Sequence, residues 1–509
     1  MSSQIKIENE RELERGVATE SSHPGASGVR PINNPKDLKL SSVVANHGTS
    51  LNQEPSLSPD FSESTHVKGV ERSIFLLAWP MALSLIADTC MGLVDTTLVG
   101  RLGKEALGGV GVAMMVMYLF YAVLYGVMRG VKIQTAYAVG RDEPNSASLY
   151  AKAGLLLGIS YGLFVFALGR NPAVLFRPMG VSPNVMHHAC DFFSTVTYGA
   201  PFVGIVAALV QFEQGRGNSK KPMKIQIGAN LLNAILAVLL IGGTAWHQRL
   251  GLQGMGVRGA GFATAIALAA NAVVQLGLNW SSIARGWTAA GIHFRALKEV
   301  LVVGIPTGAQ FGCEMLAMTT FTALLGSISA AEVAANQVAL MILRTSFLPG
   351  LAISEACSVL VGQALGRNNV REAETVLRSS IKIALAYMLV AGVFLGGFGS
   401  ILARLFTTDA EVAKIVSRLL WVALAFQLPD AFNIVYRGAL RGAKDARVPA
   451  WIAIIATWCT VPPAAYFLGQ KLGLGAVGGW IGFIGETLIA ATLYRIRWKR
   501  GAWRERANR

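Results

Sequence analysis

Two acidic residues stand inside a long apolar stretch of this chain. The segment ADTCMGLVDTTLVG, residues 87–100, carries Asp88 and Asp95. Because their seven-residue spacing is about two turns of an α-helix, both carboxylates would lie on one face. A charged side chain at the centre of a bilayer costs on the order of 3 kcal/mol by insertion scales. The pair therefore indicates a cavity wall, a salt bridge or an ion site, where carboxylates would bind protons or cations.

The composition places these acids in a membrane. Of 509 residues, 53% are hydrophobic and 15% are charged, and the mean hydropathy is +0.47. Apolar stretches long enough to cross roughly 30 Å of hydrocarbon recur between short polar clusters. We predict an all-α polytopic membrane protein. Its twelve predicted transmembrane helices cover residues 73–101, 108–138, 148–170, 187–213, 222–243, 258–284, 298–326, 334–364, 376–404, 411–440, 448–470 and 474–498.

The basic residues indicate how the chain is oriented. The formal net charge is +16, but Lys and Arg are concentrated in the loops after even-numbered spans, as with Arg216, Arg367 and Lys444. Such an excess is typical of cytoplasmic loops. We therefore predict a multi-pass protein of the plasma (inner) membrane with both termini cytoplasmic and with no nucleic-acid partner.

The two ends of the chain differ from its middle. Residues 1–68 are rich in Ser, Asn, Glu and Pro and contain no signal-peptide core, which predicts a disordered cytosolic tail. We expect an N-lobe of spans 1–6 at 69–290, a C-lobe of spans 7–12 at 291–498, and a basic cytosolic tail at 499–509.

An internal repeat relates the two halves. At an offset of 226 residues, Pro80 aligns with Pro306 and Asp88 with Glu314. Each half has an even number of spans, so both halves enter the membrane in the same direction. The repeat predicts two six-helix lobes related by a pseudo-two-fold axis along the membrane normal, with the substrate path between them.

Several motifs resemble the multidrug and toxic compound extrusion (MATE) family, in particular its NorM-like branch. They are MGLVDTTLVGRLG in span 1, PTGAQFGCEM in span 7, ANQVA and VGQALGRNN in span 8, and QLPDAFNIVYRGALRGAKDARVP through span 10. The resemblance covers residues 70–498. It implies a multidrug efflux carrier, working by alternating access as a monomer in the lipid bilayer, that exchanges amphipathic, often cationic organic compounds from the cytosol for external Na⁺ or H⁺. No cofactor is implied.

The resemblance also assigns functional acids. By motif these fall on Asp95, Glu314 and Asp430, the last two being the C-lobe pair emphasised in the NorM-like branch. Desolvated carboxylates that approach one another must share a proton or bind a cation. Glu314 and Asp430 are therefore expected to face one cavity and to form the coupling site, for H⁺ or for Na⁺.

The N-lobe departs from the family pattern. The family's Na⁺ site there uses an Asn and an Asp in span 5, where this chain reads NAILA. Asn233 and the span-6 Thr264 are present, but Ala237 stands where the family has the Asp. Hard cations need several oxygen ligands. We expect Asp95 to act by protonation or by attracting substrate, with Asp88, usually a neutral polar residue in the family, on the same cavity wall.

One pair of repeat-equivalent residues predicts a gate. Arg129 and Glu355 are superimposed by the 226-residue offset, on the cytoplasmic side of spans 2 and 8. Equivalent positions near a two-fold axis meet each other, so this pair is expected to close the cytoplasmic side. In the alternative, Arg129 extends to the surface or pairs within its own lobe.

Two other functions compete with cation export. A lipid-linked precursor flippase of the same superfamily would line its cavity with several Arg or Lys residues, whereas the cavity expected here is mainly acidic. An intramembrane enzyme is a more distant alternative, because the chain has no HExxH motif.

Overall fold

The computed structural model describes residues 59–242, 254–288 and 294–507, and within these ranges the chain is helical with no β-strand. Among the described residues, twelve helices are long and apolar enough to cross a membrane. We number them α1 (Pro59–Gly100), α2 (Lys104–Gly140), α3 (Pro144–Leu168), α4 (Pro183–Gly215), α5 (Lys220–Ile241), α6 (Val257–Thr288), α7 (Phe294–Gly326), α8 (Ala330–Gly366), α9 (Val370–Phe406), α10 (Ala410–Gly442), α11 (Arg447–Lys471) and α12 (Gly475–Lys499). The predicted count of twelve spans is confirmed.

The structure adds detail at both ends of the membrane region. Residues 59–68, assigned to the tail, form the first turns of α1, and hydropathy missed them because this helix continues as a polar segment. The remainder of that tail, 1–58, lies outside the described residues. At the other end, Trp503 is buried and stacks on Trp498 at 4.4 Å, so part of the predicted basic tail packs onto the bundle.

Small residues let the two lobes approach closely. Helix α2 of the N-lobe packs on α7 of the C-lobe, and α1 packs on α8. A methyl group added to Gly126 would lie 2.6 Å from the Gly308 Cα, so the backbones of α2 and α7 are in contact. The equivalent positions in the other pair are Ala352 and Ala82. Small residues at helix crossings are typical of membrane bundles, where close van der Waals packing holds helices together.

Helices α2 and α8 face each other along the pseudo-two-fold axis and are in contact only over part of their length. Near their C-terminal ends, a methyl group on Gly366 would lie 2.6 Å from the carbonyl oxygen of Tyr137. Toward their N-terminal ends, Met115 is 43% exposed and its equivalent Met341 is 36% exposed. The space between the lobes is therefore closed at one end and open at the other.

The closed end carries four short helix connections with the same geometry. The left-handed residue of each turn is Asp142, Gly217, Asn368 or Lys444. The next backbone N–H donates to the carbonyl five residues earlier, as from Glu143 to Ala138 at 2.8 Å and from Asp445 to Leu440 at 3.0 Å. This is the Schellman closure of a helix. We call this side, with Arg141, Arg216, Arg367 and Lys444, the basic end.

Candidate functional site

Arg129 and Glu355 are in direct contact across the two lobes. The guanidinium of Arg129 on α2 lies 2.8 Å from the carboxylate of Glu355 on α8, and it also covers the ring of Phe311 at 4.3 Å. Two residues that sequence analysis missed complete the group. Lys132 bonds the second oxygen of Glu355, and Arg441 of α10 lies 3.4 Å from the first.

This interlobe cluster, Arg129, Lys132, Glu355 and Arg441, is buried and carries excess positive charge. Lys132 is 1% exposed and Glu355 is 7% exposed. Three cations surround one carboxylate, a formal sum of +2. In addition, Nε and Nη1 of Arg441 have no hydrogen-bond partner in the part of the chain that is described. Such a cluster is held together only while Glu355 stays ionised between the lobes.

The C-lobe carboxylate Glu314 is paired with a cation. Its Oε1 accepts from Arg437 of α10 at 3.0 Å and from Gln310, one turn away on α7, at 2.8 Å. The sequence contained a signal for this arginine, because Arg437 follows Asp430 by seven residues and so falls on the same face of α10. Any cation shared by Glu314 and Asp430 would therefore have to compete with Arg437.

Two further acids surround this arginine. Asp430 is 4% exposed; its Oδ1 accepts from Asn433 at 3.0 Å, and its Oδ2 has no partner among the described residues. Glu486 of α12 accepts from Thr457 of α11 at 3.3 Å. Arg437 is within electrostatic range of both acids. We call Glu314, Asp430, Glu486 and Arg437 the C-lobe acid cluster, with a formal charge of −2 when all four groups are ionised.

In the N-lobe, Asp88 is held by neutral amides. Its Oδ1 accepts from Asn230 at 2.8 Å and from Gln226 at 2.9 Å, both on α5. Gln226 in turn accepts from Asn271 of α6 at 2.9 Å. This network links α1, α5 and α6 without a counter-charge for Asp88.

The other predicted N-lobe site residues, Asp95, Asn233 and Thr264, are not hydrogen-bonded to one another. Asp95 makes no hydrogen bond with any described residue, and Thr264 donates to Ala260 of its own helix at 3.1 Å. The Asn233 oxygen is buried and has no partner among the described residues, and Ala237 is fully buried in the apolar core. Over the described ranges there is also no group of three His, Cys, Asp or Glu residues that could hold a metal.

Fold and site together define a polytopic membrane transporter built from two equivalent lobes with acids inside the membrane. Comparison with known proteins identifies its family. A family model described as MatE matches residues 80–239 and again 306–467. The two matches start 226 residues apart (306 − 80), at the repeat seen in the sequence. The chain belongs to this family, the MATE transporters, and is not an enzyme.

Individual relatives agree with this assignment. The probable multidrug resistance protein NorM of Pseudomonas aeruginosa is 30% identical to this chain, and the match covers 82% of this chain and 87% of the relative. The probable multidrug resistance protein NorM of Xanthomonas campestris is 28% identical, and the match covers 87% of this chain and 96% of the relative. A solved MATE family transporter in an outward-facing conformation superimposes with a TM-score of 0.77 at 22% identity, covering 87% of this chain and 98% of that one. A solved eukaryotic MATE transporter superimposes with a TM-score of 0.76 at 18% sequence identity, and the match again covers 87% of this chain and 98% of that one. The structural matches show the same fold.

Proposed function

We propose that this protein is a cation-coupled antiporter that exports amphipathic, mainly cationic organic compounds. The names of its relatives support multidrug export and favour it over the flippase alternative. The excess of Lys and Arg at the basic end supports a cytoplasmic position for that end and for both termini. The proposed location is the plasma (inner) membrane, with the protein acting as a monomer.

The observation that carries the proposal is the asymmetry of the space between the lobes. It is closed at the basic end by the interlobe cluster, whereas Asp88 and Asp95 lie in the part that remains accessible. An acid there attracts a cationic compound, and binding from the other side requires the closure to open. This is the arrangement that alternating access needs.

In this proposal the interlobe cluster is the cytoplasmic gate. When the lobes separate at the basic end, Glu355 becomes hydrated and loses Arg129 and Lys132 of the other lobe, while Arg441 of its own lobe stays beside it. The cluster is thus made in one state and broken in the other. A difference of a few kcal/mol between the two states is enough to shift their populations by tenfold or more.

The C-lobe acid cluster is the proposed coupling site. Protonation of Glu314, or Na⁺ binding to it, would release Arg437 toward Asp430 and Glu486, which are already within its electrostatic range. Because Arg437 belongs to α10 and Glu314 to α7, this exchange changes how two helices of the lobe are held. Ion binding would in this way be converted into movement of the lobe.

In the N-lobe, the proposed role of Asp95 is protonation or direct attraction of substrate. A Na⁺ ion would need several oxygens, but Ala237 supplies no carboxylate, and the Thr264 hydroxyl donates to its own helix. The oxygen of Asn233 is nevertheless unused, so it remains able to accept from a substrate donor.

Transport into inverted vesicles tests the proposal. A fluorescent lipophilic cation should accumulate when the lumen is acidified or loaded with Na⁺, and the effective gradient identifies the coupling ion. Glu314→Gln and Asp430→Asn should abolish accumulation while the protein stays in the membrane, whereas the exposed Glu411→Gln should not. Wild-type rates for both acid variants under a limiting gradient would refute the coupling site. A Na⁺-binding signal that needs Asp95 and survives in both variants would refute its proton role.

A further inference from the structure

One arginine of the membrane region lies outside all the clusters described above. Arg344 is the fifteenth residue of the 37-residue helix α8, and so stands roughly 20 Å along that helix at a rise of about 1.5 Å per residue. Its side chain is exposed, and it makes no ion pair or hydrogen bond with the described residues. An arginine at this depth is costly when it faces lipid and normally faces a water-filled cavity.

The helical period shows which way Arg344 faces. Glu355, Gly362 and Gly366 follow it by 11, 18 and 22 residues, which is close to whole numbers of turns. All three meet α2 of the other lobe. Glu355 bonds Arg129, and methyl groups on Gly362 and Gly366 would lie 3.1 Å from Ala136 Cβ and 2.6 Å from the Tyr137 oxygen. Arg344 is on this same face, beyond the point where α2 and α8 separate.

The opposite wall of the cavity carries Tyr118. This residue is the repeat equivalent of Arg344, since 344 − 118 is 226, and it is 42% exposed. It lies within electrostatic range of Arg344 and also of Asp88 and Asp95. The open space between the lobes therefore has two carboxylates and an aromatic ring on the N-lobe side, and one guanidinium without a partner on the C-lobe side.

We propose that Arg344 binds the carboxylate of an amphipathic zwitterionic substrate whose cationic centre lies at Asp88 and Asp95, against the ring of Tyr118. A guanidinium holds a carboxylate through two parallel hydrogen bonds, and a tyrosine face attracts a cation. A simple cation gains only the N-lobe contacts and is repelled by Arg344. The inference rests on the proposed function and narrows it, since Arg344 makes the cavity prefer zwitterions.

Tetramethylrhodamine and its methyl ester provide a matched pair of probes. They share one cationic ring system, but only the free acid carries a carboxylate. Binding of both dyes to the purified protein in detergent micelles is measured by fluorescence polarisation, for wild type, Arg344→Gln and Arg344→Lys. Arg404→Gln, which removes an exposed arginine from the far end of α9, is the control for net charge.

Wild type should bind the acid more tightly than the ester. Arg344→Gln should weaken binding of the acid about tenfold, the scale of one charge-assisted contact, and should leave the ester unchanged or tighter. Arg344→Lys should retain part of the preference, and Arg404→Gln should retain all of it. Thermal denaturation of each variant shows that it is folded.

Each other result overturns the inference. An unchanged acid-to-ester ratio in Arg344→Gln means that Arg344 does not touch the carboxylate. Equal weakening of both dyes assigns Arg344 to closure of the lobes or to a counter-charge for the N-lobe acids. If wild type accumulates the ester in vesicles but does not prefer the acid, the inference fails while the proposed function stands. If wild type neither binds nor transports either dye, both fail.

Discussion

The two lobes hold equivalent acids in different ways. Asp88 and Glu314 occupy the same position of the repeat, yet Asp88 accepts hydrogen bonds from two neutral amides whereas Glu314 is paired with the guanidinium of Arg437. Neutralising Asp88 weakens two hydrogen bonds and displaces no charge. Neutralising Glu314 sets a buried cation free. The two halves share the position of the acid and differ in its partners, which fits the proposed roles of substrate attraction in the N-lobe and ion coupling in the C-lobe.

The interlobe cluster, which is the proposed gate, shows the same divergence at the axis itself. Arg129 and Glu355 are repeat equivalents with opposite charges, and they contact each other. Lys132, however, is matched by Ser358 in the other half. The equivalent pair is thereby part of an asymmetric cluster in which three cations share one carboxylate. This makes Glu355 the residue on which the closure depends.

The largest effect is expected for Glu355→Gln. It leaves Arg129, Lys132 and Arg441 buried together without a counter-charge, and removing one partner from a buried ion pair costs about 3–5 kcal/mol. Arg129→Gln should cost less, because Glu355 keeps two cations. Thermal denaturation in detergent should therefore rank wild type above Arg129→Gln and both above Glu355→Gln, and vesicle transport should follow the same order.

Charge reversal separates a gate from simple packing. Arg129→Glu should impair export, because two carboxylates then face each other, and adding Glu355→Arg should restore part of it, because the new guanidinium meets the new carboxylate but also faces Lys132 and Arg441. If the double variant is no better than Arg129→Glu, these residues are not gate partners. If Arg129→Gln proves as damaging as Glu355→Gln, the asymmetry inferred from Lys132 and Arg441 is wrong.

Removing the partners of Glu314 and Asp88 should have smaller effects on stability than Glu355→Gln. Arg437→Gln leaves Glu314, Asp430 and Glu486 without their cation, so we expect a loss of about 3 kcal/mol in stability and a loss of ion-driven transport. Gln226→Leu removes one amide from Asp88, and a loss of about 1 kcal/mol is expected because Asn230 and water still serve this half-exposed carboxylate. Denaturation and transport of the two variants, measured side by side, check this order. Equal effects would show that the amide network matters as much as the ion pair.

Sequence reasoning predicted the fold well because the membrane imposes simple rules. Length, apolarity and the 226-residue offset define twelve helices and two lobes. The structure adds most where those rules stop: at the polar start of α1 and at Trp503, which packs against the bundle. Neither segment has to cross hydrocarbon, so hydropathy contains no signal for it.

The site was predictable only in part. An acid inside a span is conspicuous, and the repeat placed Arg129 opposite Glu355. Partners on other helices were missed, because which helices are neighbours is a property of packing and not of spacing along the chain. Asn230 and Gln226 read as ordinary polar residues of α5 until that helix is placed beside Asp88. Arg437 was within reach of the sequence, since it shares a face of α10 with Asp430, but its pairing with Glu314 needed the structure.

The smallest effect concerns a loop at the basic end, where the lobes again differ. The α4–α5 turn places Gly217 in the left-handed conformation, and the corresponding turn after α10 places Lys444 there, with φ 59°. The Lys444 amine lies 4.1 Å from the centre of the Tyr137 ring. Burial, reinforced by the nearby positive charge of Arg141, lowers the pKa of Lys444 from 10.5 to about 8. The folded chain therefore loses this proton before the unfolded chain does.

This shift gives stability a pH dependence of known sign. Between pH 8 and 10.5 the unfolded state binds more protons at Lys444, so its contribution to stability rises with pH in that window and is least favourable below pH 8. Lys444→Gly should abolish that rise. It also relieves left-handed strain of about 1 kcal/mol and the unfavourable burial of the charged amine, while losing a cation–π contact of about the same size as the strain, so stability at neutral pH should rise. Denaturation temperatures from pH 7 to about pH 10 measure both effects, and exposed Lys104→Gln is the control that should keep the wild-type slope. If the denaturation temperature of Lys444→Gly still rises with pH as in wild type, another group is responsible for the rise. The turns at Gly217 and Lys444 would then not differ in their effect on stability.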